Sequence, residues 1–280
     1  MNASFRFSLI SLACVIFAVA CTNQTSQTAT TESKSASSSA QSRSTSLVYE
    51  QNFEQASLGL FKDAQARALI PNLKWTQFYE RFSIVDDPQQ GQVLQTVYPA
   101  KGVGPSQSGG QFNLPIAPAQ EYTLSYKVFF EEGFEWVLGG KLPGLTSGGE
   151  TYTGGVHPTE GQGWSARYMW RADGDAVIYL YSVDNKKPWG EDIALNVRFE
   201  AGKWYELTQR IVLNDPYDNN AILQVWVNGE QVLDKRDFRL RIGDQGYIDT
   251  LYFSTFHGGN KPNWAPTEDV YARFDDFRVF

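Results

Sequence analysis

The chain has 280 residues, 42% of them hydrophobic and 14% aromatic, which excludes a disordered protein and leaves room for one large β domain or two small ones. A formal net charge of −7 excludes the broad basic footprint that nucleic-acid binding needs. It also gives no long-range attraction for an acidic polymer, so a binder of one must concentrate its cations locally.

Residues 1–20 read as a secretory signal, with Arg6 in the basic region and a mostly apolar run from Phe7 to Val19. The run is too short for a good membrane span. Ala18-Val19-Ala20-Cys21 resembles a bacterial lipobox, which makes Cys21 the expected lipidated N-terminus. Cleavage there removes Arg6 and takes the net charge from −7 to −8. Cys14 leaves with the signal and Cys21 carries lipid, so the folded part has no disulfide, no thiolate metal ligand and no cysteine nucleophile. Thr22 to Leu47 is Ser, Thr, Gln and Ala with little to bury, and reads as a flexible tether. A monomeric lipoprotein of the bacterial cell envelope is expected, held to a membrane by that lipid, with the folded domain over 48–280.

Val48 to Phe53 is a short strand candidate. Phe61 to Ile70 is the one credible helix, ended by Pro71. Glu80 to Val85 and Val93 to Tyr98 read as strands around the turn signal Asp86-Asp87-Pro88. Pro99 to Gly110 reads as a loop. Tyr122 to Phe130 alternates as a half-buried strand, and Phe134 to Leu138 reads as another that delivers Gly139, Gly140 and Lys141. Trp204 to Leu213 and Ile222 to Leu233 alternate well, the second broken by the hairpin signal Asn228-Gly229. Ile248 to Phe256 and Val270 to Phe280 close the chain, the last with Phe274, Asp276, Arg278 and Phe280 expected on one face. Many short strands and one helix mean an all-β fold, for which periodicity allows a sandwich or a barrel.

The most informative stretch runs from Gly139 to Tyr181. Trp164, Ala166, Tyr168 and Trp170 alternate with Ser165, Arg167, Met169 and Arg171, and Val177 to Tyr181 returns. A two-residue loop would oppose Arg167 to Leu180 and mix the faces. A three-residue loop, Ala172-Asp173-Gly174, puts glycine where a left-handed residue is wanted. It opposes Arg167 to Tyr179 and Ser165 to Tyr181, which predicts a polar patch of these four on one face.

Gly-Gly-Lys-Leu-Pro-Gly-Leu, then Ser-x-Arg-x-Met-Trp-Arg, then Tyr-x-Tyr, resembles polysaccharide lyase family 14, which includes alginate lyases and a polyglucuronate lyase. The resemblance covers most of the chain after about Val48. It implies a β-jelly-roll sandwich with a concave substrate groove, and catalytic groups at Lys141, Ser165, Arg167, Tyr179 and Tyr181. Many members hold the loop before Ser165 with a cysteine pair, and this chain has none there.

The implied reaction is β-elimination on an acidic polysaccharide. A cation must neutralise the uronate carboxylate, a base must take the C5 proton, and an acid must protonate the leaving oxygen at C4. Tyrosine serves in either role if a nearby cation lowers its pKa from about 10. That assigns Tyr179 and Tyr181 as the base and acid pair, with Lys141 as an alternative base, and predicts an alkaline-leaning optimum. Lys141 and Arg167 neutralise the carboxylate, and Ser165 orients a sugar or a tyrosine. Gln111, His157 and Arg171 are candidate substrate contacts, although a solvent-facing loop position competes for His157. Taken singly, Tyr-x-Tyr, the lysine and the arginine each suit packing, a solvated turn or an ion pair. His157 and His257 lack zinc spacing, Asp215, Asp218, Asn219 and Asn220 suit a turn better than calcium, and no cofactor motif is visible. Phe253 to Gly259, with Trp264, reads as mainly structural. Two other classes compete: a glycosidase using Glu131, Glu132 or Glu135, and a non-catalytic carbohydrate-binding sandwich using Trp189 or Trp264.

Overall fold

The computed structural model describes residues 46–280. The signal peptide, Cys21 and all but the last two residues of the tether lie outside them. Among the described residues no helix is long and apolar enough to cross a membrane.

The elements in chain order are β1 (Tyr49–Gln51), β2 (Gly59–Leu60), α1 (Asp63–Leu69), β3 (Trp75–Gln77), β4 (Phe82–Asp87), β5 (Gly91–Tyr98), α2 (Gly104–Gln107), β6 (Gly110–Ala119), β7 (Glu121–Phe130) and β8 (Gly139–Ser147). They continue as β9 (Trp164–Arg171), β10 (Asp175–Tyr181), β11 (Glu191–Arg198), β12 (Trp204–Val212), β13 (Ile222–Val227), β14 (Glu230–Lys235), β15 (Ile248–His257) and β16 (Val270–Val279). One sheet runs β14-β13-β12-β7-β16-β5-β4-β2 with β1 on β16, and the other runs β11-β10-β9-β8-β15-β6-β3. The pairs are antiparallel, and the two sheets face each other across one core. This is the jelly-roll sandwich.

Period-two alternation builds that core, with burial on one face in β7 and on both faces in β9, whose inward set packs against the other sheet. Trp164, Ala166, Tyr168 and Trp170 of β9 are all 0% exposed. Trp170 meets Phe130 of the other sheet at 5.7 Å and Tyr98 at 5.7 Å between ring centroids. A Trp170→Ala change would cost about 3–5 kcal/mol. The glycine before Lys141 serves this packing, since a Cβ at Gly140 would lie 2.0 Å from the Trp170 indole.

Four readings need correction. Phe134 to Leu138 is two turns, closed by Phe134 N–H to Glu131 O and Gly139 N–H to Trp136 O, and the strand begins at Gly139. The predicted loop before Gly110 contains the single turn of α2, and Gly110 itself opens β6. Strands β3, β6, β8 and β11 are additions to the expected set: β3 is three residues long and glycine and proline interrupt β8, whereas Phe112, Leu114 and Ile116 in β6 and Ile193, Leu195 and Val197 in β11 do alternate and mark strands that the sequence reading passed over. In β16 a bulge at Asp276 (φ 52°) breaks the period, so Phe274 and Phe277 both face the core.

Pro143 cannot donate to a ladder, and β8 accommodates it with a register shift between Lys141 and Gly144. The groups that this loosens are held from the facing sheet. Gln209 accepts from Leu145 N–H (3.1 Å) and donates to Ala166 O (3.1 Å), and Tyr126 donates to Pro143 O (3.2 Å).

Candidate active site

A groove of about 1330 Å³ crosses the outer face of the seven-stranded sheet. Its floor is Gln111, Tyr252, Lys141, Arg167, Met169 and Tyr179. One wall comes from Glu150 to Gly154 and Trp189, the other from Gly258 to Lys261, Trp264 and Pro105.

The register across β9 and β10 is the one the three-residue turn predicts, with Tyr179 opposite Arg167 and Tyr181 opposite Ser165. Gly174 takes the left-handed conformation at φ 84°. Arg167 is 2% exposed, yet among the described residues no carboxylate pairs with it. Its Nη1 donates to Ser254 Oγ at 3.0 Å, its guanidinium lies 5.3 Å over the Tyr252 ring, and its Nε has no partner. Gly144 faces both Arg167 and Tyr252, and a Cβ there would lie 2.7 Å from Arg167 Cα. Burial lowers the Arg167 pKa, but an arginine starts so high that it stays charged.

Lys141 is half-buried, with Nζ 2.6 Å from Met169 Sδ and 3.7 Å from the Tyr179 ring centroid. Desolvation holds its pKa well below the usual lysine value, and Arg167 and Arg171 push it the same way against the opposing pull of Asp192. Desolvation raises Tyr179, helped by Tyr181, and outweighs the lowering by Arg171. This reverses the expectation that nearby cations would make a tyrosine the base. Burial also pushes Tyr252 up to about 12, although Arg167 acts to lower it.

The other expected residues divide. Tyr181 lines the groove and its hydroxyl accepts from Gly155 N–H at 3.0 Å. Gln111 lines it too, donating to Gln77 Oε1 and accepting from Tyr252, both at 2.6 Å. Arg171 lines it but is spent on Asp192, at 2.8 and 2.5 Å. Ser165 is 0% exposed and donates to Tyr152 O at 2.7 Å, so it anchors the covering loop and does not face the groove. His157 lies 3.0 Å from Ser182 O, away from the groove lining. His257 is buried in an aromatic cage of Tyr98, Phe134 and Trp170.

Tyr252, Asp192 and Glu150 carried no sequence signal of their own, while Met169 stood in the second motif and Ser254 in the block read as structural. The block after Phe253, read as structural, contributes Gly258, Gly259 and Trp264 to one wall. The glycine pair and Trp264 were the available clue, since a Cβ at Gly259 would lie 2.4 Å from that indole.

A sandwich with a long groove, a buried free guanidinium, a lysine of lowered pKa and a protonated phenol defines a carbohydrate-active enzyme suited to an anionic chain. The sequence profile of the polysaccharide lyase 14 family matches residues 86–277. The chain belongs to that family and is a polysaccharide lyase. Among solved structures it is similar to the alginate lyase Aly36B (25% identity, TM-score 0.72, covering 82% of this chain and 95% of that one). It is also similar to the marine alginate lyase of Aplysia kurodai (21%, 0.72, 84% and 99%). An endo-β-1,4-glucuronan lyase of the fungus Trichoderma reesei shares the fold at 8% identity, with a TM-score of 0.54 over 84% and 95%. No curated protein matches the chain.

Proposed function

We propose that the protein cleaves a polyuronate such as alginate or glucuronan by β-elimination. The observation that carries this reading is Arg167, a buried cation facing a groove with no carboxylate among the described residues to balance it. A buried charge without a partner is costly, and a uronate carboxylate supplies the partner.

With that carboxylate neutralised, Lys141 takes the C5 proton as a neutral amine. The electron pair forms the C4–C5 double bond, the C4–O bond breaks, and Tyr179 gives its proton to the departing oxygen. Environments that push two pKa values apart support these roles, the lysine lowered and the phenol raised. Tyr181 supports Tyr179, their rings meeting edge to face at 5.4 Å. Base and acid lie side by side on one sheet face, which suits sugars whose C5 hydrogen and C4 oxygen share a ring face. Mannuronate and glucuronate have that relation and guluronate does not.

The N-terminal sequence supports a lipid anchor at Cys21 and a place in the bacterial cell envelope. Screening uronate polymers by the ultraviolet absorbance of the conjugated product tests the reading. Absorbance should rise with polymannuronate or glucuronan faster than with polyguluronate. Reducing ends appearing without it would mean hydrolysis, and binding without either would mean a carbohydrate-binding sandwich.

A further inference from the structure

At the edge strand β3 a second cavity of about 580 Å³ is lined by Trp75, Gln77 and Tyr79, with Lys62 and Arg67. Tyr79 is 53% exposed. It sits with Glu80 in a tight turn closed by Arg81 N–H to Phe78 O at 2.9 Å, and both residues are left-handed, at φ 48° and 57°. Such a turn asks for Asn-Gly. The chain uses that pair at Asn228-Gly229, at φ 51° and 79°, where the turn only joins two strands. A tyrosine and a glutamate there are strained, and strain retained against a cheaper sequence points to use of the side chain.

The Tyr79 ring is also braced from behind. The Arg81 guanidinium lies 4.6 Å over it and donates to Gly109 O (2.5 Å), Ser106 O (3.2 Å) and Pro105 O (2.9 Å). Pro105 belongs to the groove wall, so the arginine that braces the ring also reaches that wall. A polar row joins the two concavities: Arg167 over Tyr252, Tyr252 to Gln111, and Gln111 to Gln77. From β9 to β3 is four strand steps, about 19 Å.

We propose that Tyr79 and this cavity form a distal subsite, where the ring stacks on a uronate sugar of the same chain several units from the bond being cleaved. This rests on the lyase reading only for the identity of the polymer. Lys62 and Arg67 have exposed partners in Glu80 and Asp63, and exposed pairs are weak enough to yield to a sugar carboxylate.

Tyr79→Asn separates binding from folding, because asparagine favours the left-handed turn. Its Tm should rise by about 2 °C. Its KM for polyuronate should rise about five- to tenfold, the size of one aromatic contact, with KM for a trisaccharide unchanged. Tyr79→Phe should keep the wild-type values. Affinity electrophoresis in gels containing polyuronate reads the same loss without turnover, so it stands even if no lyase activity is found. An unchanged polymer KM and mobility in Tyr79→Asn, or equal losses on polymer and trisaccharide, would overturn the subsite.

Discussion

The outer faces of the two sheets treat their cations differently. On the nine-stranded sheet Arg273 reaches Asp87 at 2.8 Å and Glu131 at 2.9 Å, Lys127 reaches Asp276 at 2.7 Å, and Arg210 reaches Glu121 at 2.7 Å. On the seven-stranded sheet Arg171 has Asp192, but the more deeply buried Arg167 has a hydroxyl and an aromatic face. Where only the fold is at stake the protein balances its charges internally. Where a polyanion is expected it leaves one charge for the ligand to balance.

The largest effect expected is on catalysis. Lys141→Ala should lower turnover at least about 100-fold with the fold unchanged by circular dichroism, since a positioned base contributes about 10²–10⁴. Wild-type rates would remove the lysine from the site. The comparison itself breaks cleanly with two matched substitutions. Arg273→Met strands Asp87, whose side chain is 3% exposed, and should lose about 3 kcal/mol in denaturant unfolding. Arg167→Met removes an unbalanced charge and should keep or raise stability by about 1 kcal/mol while abolishing activity.

Smaller shifts sharpen the electrostatic account. Arg171 helps hold the Lys141 pKa down, so Arg171→Ala should move the acidic limb of the kcat/KM profile to higher pH. A limb that stays in place would mean another group titrates there. The last effect, on acid stability, is small in the wild type because two buried groups oppose each other. His257 is pushed by burial from 6.5 to about 4, so the unfolded state binds its proton first and stability falls as pH drops through that window, by about 3 kcal/mol in all. Asp275, raised by burial from 3.8 to about 7, works oppositely, favouring the folded state as pH falls below 7. The two nearly cancel between pH 4 and 7. Asp275→Asn should therefore expose a clear fall in Tm on acidification that the wild type lacks.

What the sequence revealed follows from period and turn chemistry. The β9–β10 hairpin was legible because its alternation is unbroken and Gly174 marks the turn, so the pairing of Arg167 with Tyr179 followed. Strand β8 was not, since Gly139, Gly140, Pro143 and Gly144 destroy alternation where close packing and the bulge require them. The β16 face failed at Asp276, where one extra residue inverts the period. Tyr252 and Ser254 reach Arg167 from β15, more than eighty residues away, past a glycine that leaves no mark on local pattern. The tyrosine pKa expectation failed because neighbouring cations were visible in the register while burial was not.

The central claim is that Arg167 meets the substrate carboxylate. Calorimetric binding of a uronate tetrasaccharide to the Lys141→Ala protein, with Arg167 present or replaced by methionine, tests it most directly. Loss of at least about 30-fold in affinity, about 2 kcal/mol or more, is the expected result. Equal affinity in the two proteins would contradict it.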